Sequence, residues 1–128
     1  MIDAPAVISA YLLSQTALTT VTGTRIWPER SNPFPNYNPT VGGAVAFKIR
    51  GGTVIYSGQA ASPSVQFKCY GVDELAANTV YRALYDVLNN KHGGGIKSAS
   101  IDVLGQTLGE PDTGWPFVLC FYTVWLGI

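Results

Sequence analysis

The sequence is poor in the residue types that most often build an active site or a metal site. It has one histidine and two cysteines in 128 residues, and 12% of its residues are charged, about half of the roughly 25% that soluble domains usually carry. Eight basic and eight acidic side chains give a formal net charge of zero, which argues against broad, sequence-independent binding to nucleic-acid phosphates. We therefore expect a protein whose surface is covered by partners in an assembly.

Long apolar runs are also missing. None approaches the about 20 residues needed to cross a bilayer, and Asp3 and Pro5 interrupt the start of the chain, so we expect neither a membrane partner nor a secretory signal. The hydrophobic content of 47% argues against disorder. Since a domain usually has about 100 to 200 residues, the length predicts one domain over residues 1–128.

Hydrophobic periodicity predicts an α+β fold: an antiparallel sheet of about five strands with two helices, the longer one packed across the sheet. The first helix begins at the N-cap Asp3 with Pro5 in its first turn, and Thr16 starts a short second turn through Leu18. The longer helix begins at the N-cap Asp73. Its apolar stripe comprises Leu75, Ala76, Thr79, Val80, Ala83, Leu84, Val87 and Leu88.

The strands are predicted from alternating or β-favouring segments. They are Thr24–Pro28, Ala44–Arg50, Thr53–Tyr56, Ser64–Tyr70, Ile96–Leu104 and Pro116–Leu126. Gly51 and Gly52 indicate a hairpin between the second and third segments, and residues 105–114 a loop or broken strand. The last segment is apolar on both faces and needs cover on both, part of which we expect from another copy of the chain.

The irregular segment Glu29–Thr40 contains three prolines and three asparagines, which exclude a helix or a central strand. Long loops of this kind in compact domains are usually functional or disordered. We predict an ordered partner-contact loop in which Phe34 and Tyr37 are aromatic anchors and Arg30 lies at the rim. The alternative, that both rings pack on the core of their own domain, stays open.

Residues with catalytic potential do not form a recognisable motif. His92 stands alone beside a triple glycine that lacks the surroundings of a phosphate-binding loop. Cys69 and Cys120 lack metal-site spacing and are typical of buried free thiols. The acidic pairs at 73–74 and 110–112 are explained by helix capping and a turn. We expect no catalytic residue, no cofactor and no metal site, and therefore not an enzyme.

Three segments together resemble a known family. They are Leu12–Ile26 (LLSQTALTTVTGTRI), Ala44–Arg50 (AVAFKIR) and Ser64–Leu88 (SVQFKCYGVDELAANTVYRALYDVL). Their order, with a proline-bearing loop after the first and a strand-to-helix step in the last, resembles the tail-completion or tail terminator family of long-tailed phages. The triple glycine and the apolar C-terminal strand are not part of this pattern.

The resemblance implies a structural virion protein that is made in the host cytoplasm and located at the head–tail junction, or neck. It implies a homo-oligomeric ring, with six copies expected, that caps the tail tube and joins it to the head-completion or connector protein. DNA would meet it only while passing through the ring. Gene-transfer-agent particles use similar parts. The alternatives are a head-completion or connector protein of the same particle, and a small ligand-binding α+β domain.

Overall fold

The computed structural model describes residues 2–28, 37–55 and 60–127. In these ranges the α-helices are Ala4–Leu13 (α1), Thr16–Thr22 (α2) and Glu74–Leu88 (α3), with a 3-10 helix at Pro39–Val41. The strands are Ile26–Pro28 (β1), Ala44–Ile55 (β2), Ala60–Tyr70 (β3), Ile96–Gly109 (β4) and Pro116–Gly127 (β5). None of the helices in the described ranges combines the length and apolar character needed to cross a membrane.

The strands form one sheet in the order β1-β2-β3-β5-β4. The three pairs among β2, β3, β5 and β4 are antiparallel, whereas β1 pairs with β2 in parallel. A parallel pair requires a crossover connection and not a tight hairpin, and the long segment between β1 and β2 provides it. The predicted α+β fold with about five strands is confirmed, and its sheet is mixed but mostly antiparallel.

The N-terminal helical region forms two helices, so the predicted total of two helices is wrong by one. The chain leaves the helical path at Gln15 (φ −92°, ψ 103°), and the Ser14 hydroxyl donates a hydrogen bond of 2.6 Å to the carbonyl of Tyr11. The predicted second turn continues to Thr22 as α2. Leu18 and Thr22 lie one turn apart and are both fully buried, which anchors this short helix on the core.

The start of α3 is confirmed, because Asp73 Oδ1 accepts a hydrogen bond of 2.8 Å from the amide of Ala76. Its predicted apolar stripe is partly wrong, because Leu75 is 81% exposed. The buried residues of the helix are Ala77, Val80, Leu84, Val87 and Leu88. A Cβ at Gly71 would lie 2.2 Å from the Ala77 amide nitrogen. The first turn therefore packs against the end of β3 through Ala77, and Leu75 points away from it.

The predicted hairpin at Gly51 and Gly52 is wrong. β2 continues through both glycines, and its register with β3 shifts between Ile49 and Gly52. Gly52 has φ +137°, and a Cβ there would lie 2.4 Å from the carbonyl oxygen of Ser62. The two glycines therefore allow an irregularity within a long strand, where a close backbone approach requires a residue without a side chain. Tyr56, the end of the predicted third segment, lies outside the described residues.

The C-terminal hairpin is longer than predicted. β4 continues to Gly109 because its later residues still pair with β5, for example Gln106 with Leu119 and Leu108 with Phe117. The register shifts at three places along this edge strand. After β4, the Glu110 amide donates to the carbonyl of Trp115 at 2.9 Å, which closes the turn before β5.

All three helices contribute to one core on one face of the sheet, called here the inner face. Leu12 of α1, Leu18 of α2 and Leu84 of α3 belong to the same buried cluster as Phe67 and Tyr122 of the sheet. The opposite face, called the outer face, has a second and smaller cluster at one end. The two faces of the sheet are therefore covered in different ways, and this difference places the candidate surface.

Candidate interaction surface

Tyr37 lies in the smaller cluster on the outer face. It is 7% exposed, its ring makes edge contacts with Trp27 (5.6 Å between centroids) and Trp115 (5.4 Å), and its hydroxyl donates to the carbonyl of Gly42 at 2.8 Å. Burial raises the pKa of Tyr37 to about 12, with a smaller opposing effect of Arg25. The structure thus places this ring against its own domain, which is the alternative that the sequence left open.

The other two residues of the predicted contact loop, Arg30 and Phe34, lie outside the described residues. Their partner-contact role stays a prediction, as does any contact that Tyr37 adds in an assembly. The end of the loop is held by Arg25, whose Nε donates to the carbonyl of Gly43 at 2.9 Å. Residues 42–43, just before β2, are therefore bound to the domain through the side chains of Arg25 and Tyr37.

A polar group borders the aromatic cluster at the turn between β4 and β5. Lys68 Nζ lies 3.2 Å from Glu110 Oε1, and the Tyr70 hydroxyl donates to the same oxygen at 2.6 Å. The ammonium of Lys68 also lies 5.0 Å from the centroid of the Phe117 ring. Since Tyr70 and Phe117 are 1% and 5% exposed, these contacts close one end of the outer face.

The other end of the outer face is open and mixes cations with apolar side chains. Lys48 and Arg50 project from β2 and are exposed. The Arg50 guanidinium donates to Gln66 Oε1 at 3.3 Å and lies 5.5 Å from the centroid of the Phe121 ring. Trp125 on β5 is 42% exposed. We call this area the open patch: Lys48, Arg50, Gln66, Val103, Phe121 and Trp125.

A second exposed apolar area lies at the beginning of α3. Val72 is 57% exposed and Leu75 is 81% exposed, and between them lie the exposed carboxylates of Asp73 and Glu74. We call residues 72–75 the α3 corner. Periodicity alone missed it, because Leu75 fits a continuous helical stripe. The residue in the sequence that could have indicated the exposure of Leu75 is Gly71, because its lack of a side chain lets Ala77 approach the sheet.

The two cysteines are buried free thiols, as the sequence predicts. Cys69 and Cys120 are free and fully buried. A hydrogen bond with Cys120, together with burial, raises the pKa of the Cys69 thiol, and a neutral thiol is a poor nucleophile. His92 is exposed after α3. Among the described residues, no three His, Cys, Asp or Glu side chains form a group that could hold a metal ion.

The buried Tyr122 hydroxyl faces the helices from the inner face of β5. It has no hydrogen-bond partner among the residues that the structure describes, and burial is the main cause that raises its pKa. The phenol is therefore neutral at physiological pH. The neighbouring groups of Cys120, Cys69, Tyr81 and Tyr85 raise its pKa further.

Comparison with known proteins gives a likeness of fold. No protein-family model matches the chain, and no curated protein matches it in sequence. Among solved structures, twelve chains match. One of them belongs to the virion of a native gene transfer agent particle. It aligns over 97% of this chain and 94% of its own length, with a TM-score of 0.61 and 10% sequence identity.

At this identity the likeness shows a shared fold. It extends over both chains almost completely, so it includes the two N-terminal helices, the five-stranded sheet and α3 together. The shared unit is therefore the whole domain and not a common smaller motif within it.

Proposed function

We propose that this chain is a tail terminator, a structural virion protein that forms a ring, caps the tail tube and joins it to the head-completion proteins at the neck. The observation that carries the proposal is the fold match to a chain of a gene transfer agent virion over 97% of this chain and 94% of that one. The resemblance of residues 12–88 to the tail terminator family is an independent support from sequence.

The distribution of apolar residues on the surface also supports a role in an assembly. Large apolar side chains are exposed on both layers, on the helices as Leu13 and Leu75 and on the hairpin as Val103, Leu104 and Trp125. Single exposed apolar residues are normal in monomers. Here they occur in a chain with only 12% charged residues, so fewer charges surround them than on an ordinary soluble domain.

A structural role needs no catalytic residue, and we propose that the chain has none. The two thiols are buried inside the core, and His92 lies exposed at the end of α3. A triple substitution of His92, Cys69 and Cys120 by alanine should leave assembly intact, apart from a loss of stability at the two strand positions. A substrate that the purified protein converts and this variant does not would contradict the proposal.

The function is tested in particles made with and without this chain. A labelled full-length chain should appear at the head–tail junction in electron micrographs. Because a terminator caps a growing tube, its removal should give tails that exceed the normal length and fail to join heads. Tails of normal length that remain separate from heads would instead indicate the head-completion role. A label along the whole tube, or no label in the particle, would contradict both.

A further inference from the structure

The open patch on the outer face contains two cations that pair with no carboxylate among the described residues. Lys48 and Arg50 are exposed, and neither forms an ion pair with any described residue. Three carboxylates lie on the hairpin of the same sheet, Asp102, Glu110 and the exposed Asp112, and none of them forms an ion pair with Lys48 or Arg50 among the described contacts. Asp102 accepts a hydrogen bond from Thr123, and Glu110 pairs with Lys68. Asp102 keeps its negative charge beside Thr123 on this face, so the place for a partner's carboxylate is at Lys48 and Arg50.

Apolar surface adjoins these cations. Phe121 lies beside Gln66 on one side and Val103 on the other; Val103 is 52% exposed, and Trp125 further along β5 is 42% exposed. Tryptophan and arginine side chains are among the residues that contribute most to binding energy at interfaces. A suitable partner would therefore combine carboxylates with aliphatic side chains, and free anions alone would leave the apolar part uncovered.

The α3 corner of the same chain has this chemistry. It presents two carboxylates, Asp73 and Glu74, between the exposed side chains of Val72 and Leu75. Asp73 also caps the helix, whereas Glu74 makes no described hydrogen bond or ion pair and only complements the helix dipole from the first turn. The corner belongs to the helical layer and the open patch to the outer face, so one copy cannot bring its own two areas together.

We propose that the α3 corner of one copy docks on the open patch of the next copy, with Glu74 beside Lys48 and Arg50, and with Leu75 against Phe121 and Trp125. The two surfaces differ, so the contact is head-to-tail, and such contacts close into a ring when the rotation between copies permits. This inference rests on the proposed function for the ring itself and adds the residues that join its subunits.

The test uses the full-length chain and reversal of charge on each side. Lys48→Glu with Arg50→Glu changes the open patch, and Glu74→Lys changes the corner while Asp73 still caps the helix. Sedimentation velocity over a range of concentrations should show that each variant self-associates about tenfold more weakly than the wild type. The triple variant, in which both sides are reversed, should regain much of the lost association.

A matched control reverses the same number of charges elsewhere. Arg82→Glu with Lys91→Glu changes two exposed cations of the helical layer, and its self-association should equal that of the wild type. Equal weakening of this control, or no recovery in the triple variant, would overturn the proposed contact. Loss of binding to duplex DNA as the principal effect of the open-patch variant would show a nucleic-acid surface and overturn it as well.

Cross-linking tests the geometry even if the contact is weak. A chain with Lys48→Cys is mixed with a chain with Glu74→Cys and treated with a short bismaleimide; the native thiols are fully buried. We expect mixed dimers, and fewer from Arg82→Cys in place of Glu74→Cys. Absence of mixed dimers at high concentration overturns the contact. If the chain is found at the neck but the cross-link does not form, the proposed contact is wrong and the proposed function stands. If the cross-link forms but the chain is absent from virions, the contact stands and the proposed function is wrong.

Discussion

The two faces of β5 show how one strand can be apolar on both sides and still have different surroundings. On the inner face, Cys120, Tyr122 and Val124 are fully buried under the helices. On the outer face, Phe117 is covered by the aromatic cluster, whereas Trp125 remains 42% exposed. The domain covers one face with helices and one end of the other with its own rings. Among the described residues of the outer face, large apolar side chains stay exposed toward the remaining end.

The largest difference in folding stability should appear within α3, where leucine is replaced by alanine at a buried and at an exposed position. Leu84→Ala removes a fully buried side chain and should lower the free energy of unfolding by about 4 kcal/mol, because a cavity is left in the core. Leu75→Ala, at a position 81% exposed, should change it by no more than about 0.5 kcal/mol. Chemical denaturation of both variants measures the difference, and equal losses would refute the assignment of Leu75 to the surface.

The aromatic cluster at the closed end of the outer face should contribute almost as much to the free energy of unfolding as the core under the helices. Tyr37→Ala removes a ring packed between Trp27 and Trp115, and we expect a loss of about 3 kcal/mol. Tyr37→Phe keeps the ring and removes the hydrogen bond to Gly42, which should cost about 1 kcal/mol. Thermal melting of the two variants separates packing from hydrogen bonding.

A substitution of Phe34 extends the comparison of packing and partner contact to the predicted loop, because the contact role of Phe34 stays a prediction. If the loop joins a partner through this ring, Phe34→Ala should keep the wild-type melting temperature and impair assembly of particles. A fall in melting temperature as large as that of Tyr37→Ala would instead place the Phe34 ring in the core. An unchanged melting temperature together with normal assembly would also contradict the contact role.

We expect a smaller loss of folding stability for a substitution in the polar group that borders the aromatic cluster. Glu110→Gln leaves an oxygen acceptor for the Tyr70 hydroxyl and removes the charge beside Lys68. Since both side chains of the ion pair are partly exposed (19% and 23%), we expect a loss of about 1 kcal/mol or less. The difference from the wild type should shrink in high salt, which screens the pair. Asp112→Asn, an exposed change in the same turn, is the control.

A substitution in the open patch should have the smallest effect on folding stability and a larger effect on self-association. Trp125→Ser should lower stability by no more than about 1 kcal/mol, because the ring is only partly buried. Leu13→Ser is a matched control on α1, since both side chains are 42% exposed. We expect Trp125→Ser to self-associate more weakly than the wild type, and Leu13→Ser to self-associate as the wild type does. Equal association of the two variants would argue that Trp125 lies outside the contact between copies.

Much of the fold could be predicted because its signals are local. The N-caps Asp3 and Asp73 each accept a hydrogen bond from an amide three residues later, and this geometry depends only on nearby residues. Alternation along β3 and β5 likewise indicated which side chains share a face. The two thiols were predicted as buried because free cysteines without metal-site spacing are usually buried.

Other features depend on contacts between distant parts of the chain. The two glycines at 51–52 have the composition of a hairpin turn, but the approach of Ser62 to Gly52 keeps them inside a long strand. Leu75 fits a helical stripe, but the contact of Gly71 with Ala77 turns it outward. Hydrophobic periodicity shows neither outcome, because the first depends on pairing with β3 and the second on how the first turn of α3 packs against the end of β3.

The sequence by itself therefore determined the α+β class, the beginning of the long helix, the burial of the thiols and the low surface charge, because caps, periodicity and composition act over a few residues. The tertiary structure alone decided how the outer face is divided. The closed end forms where Trp27, Tyr37, Tyr70 and Trp115, far apart in the chain, come together. The open patch remains where none of the described residues covers the same sheet in this way.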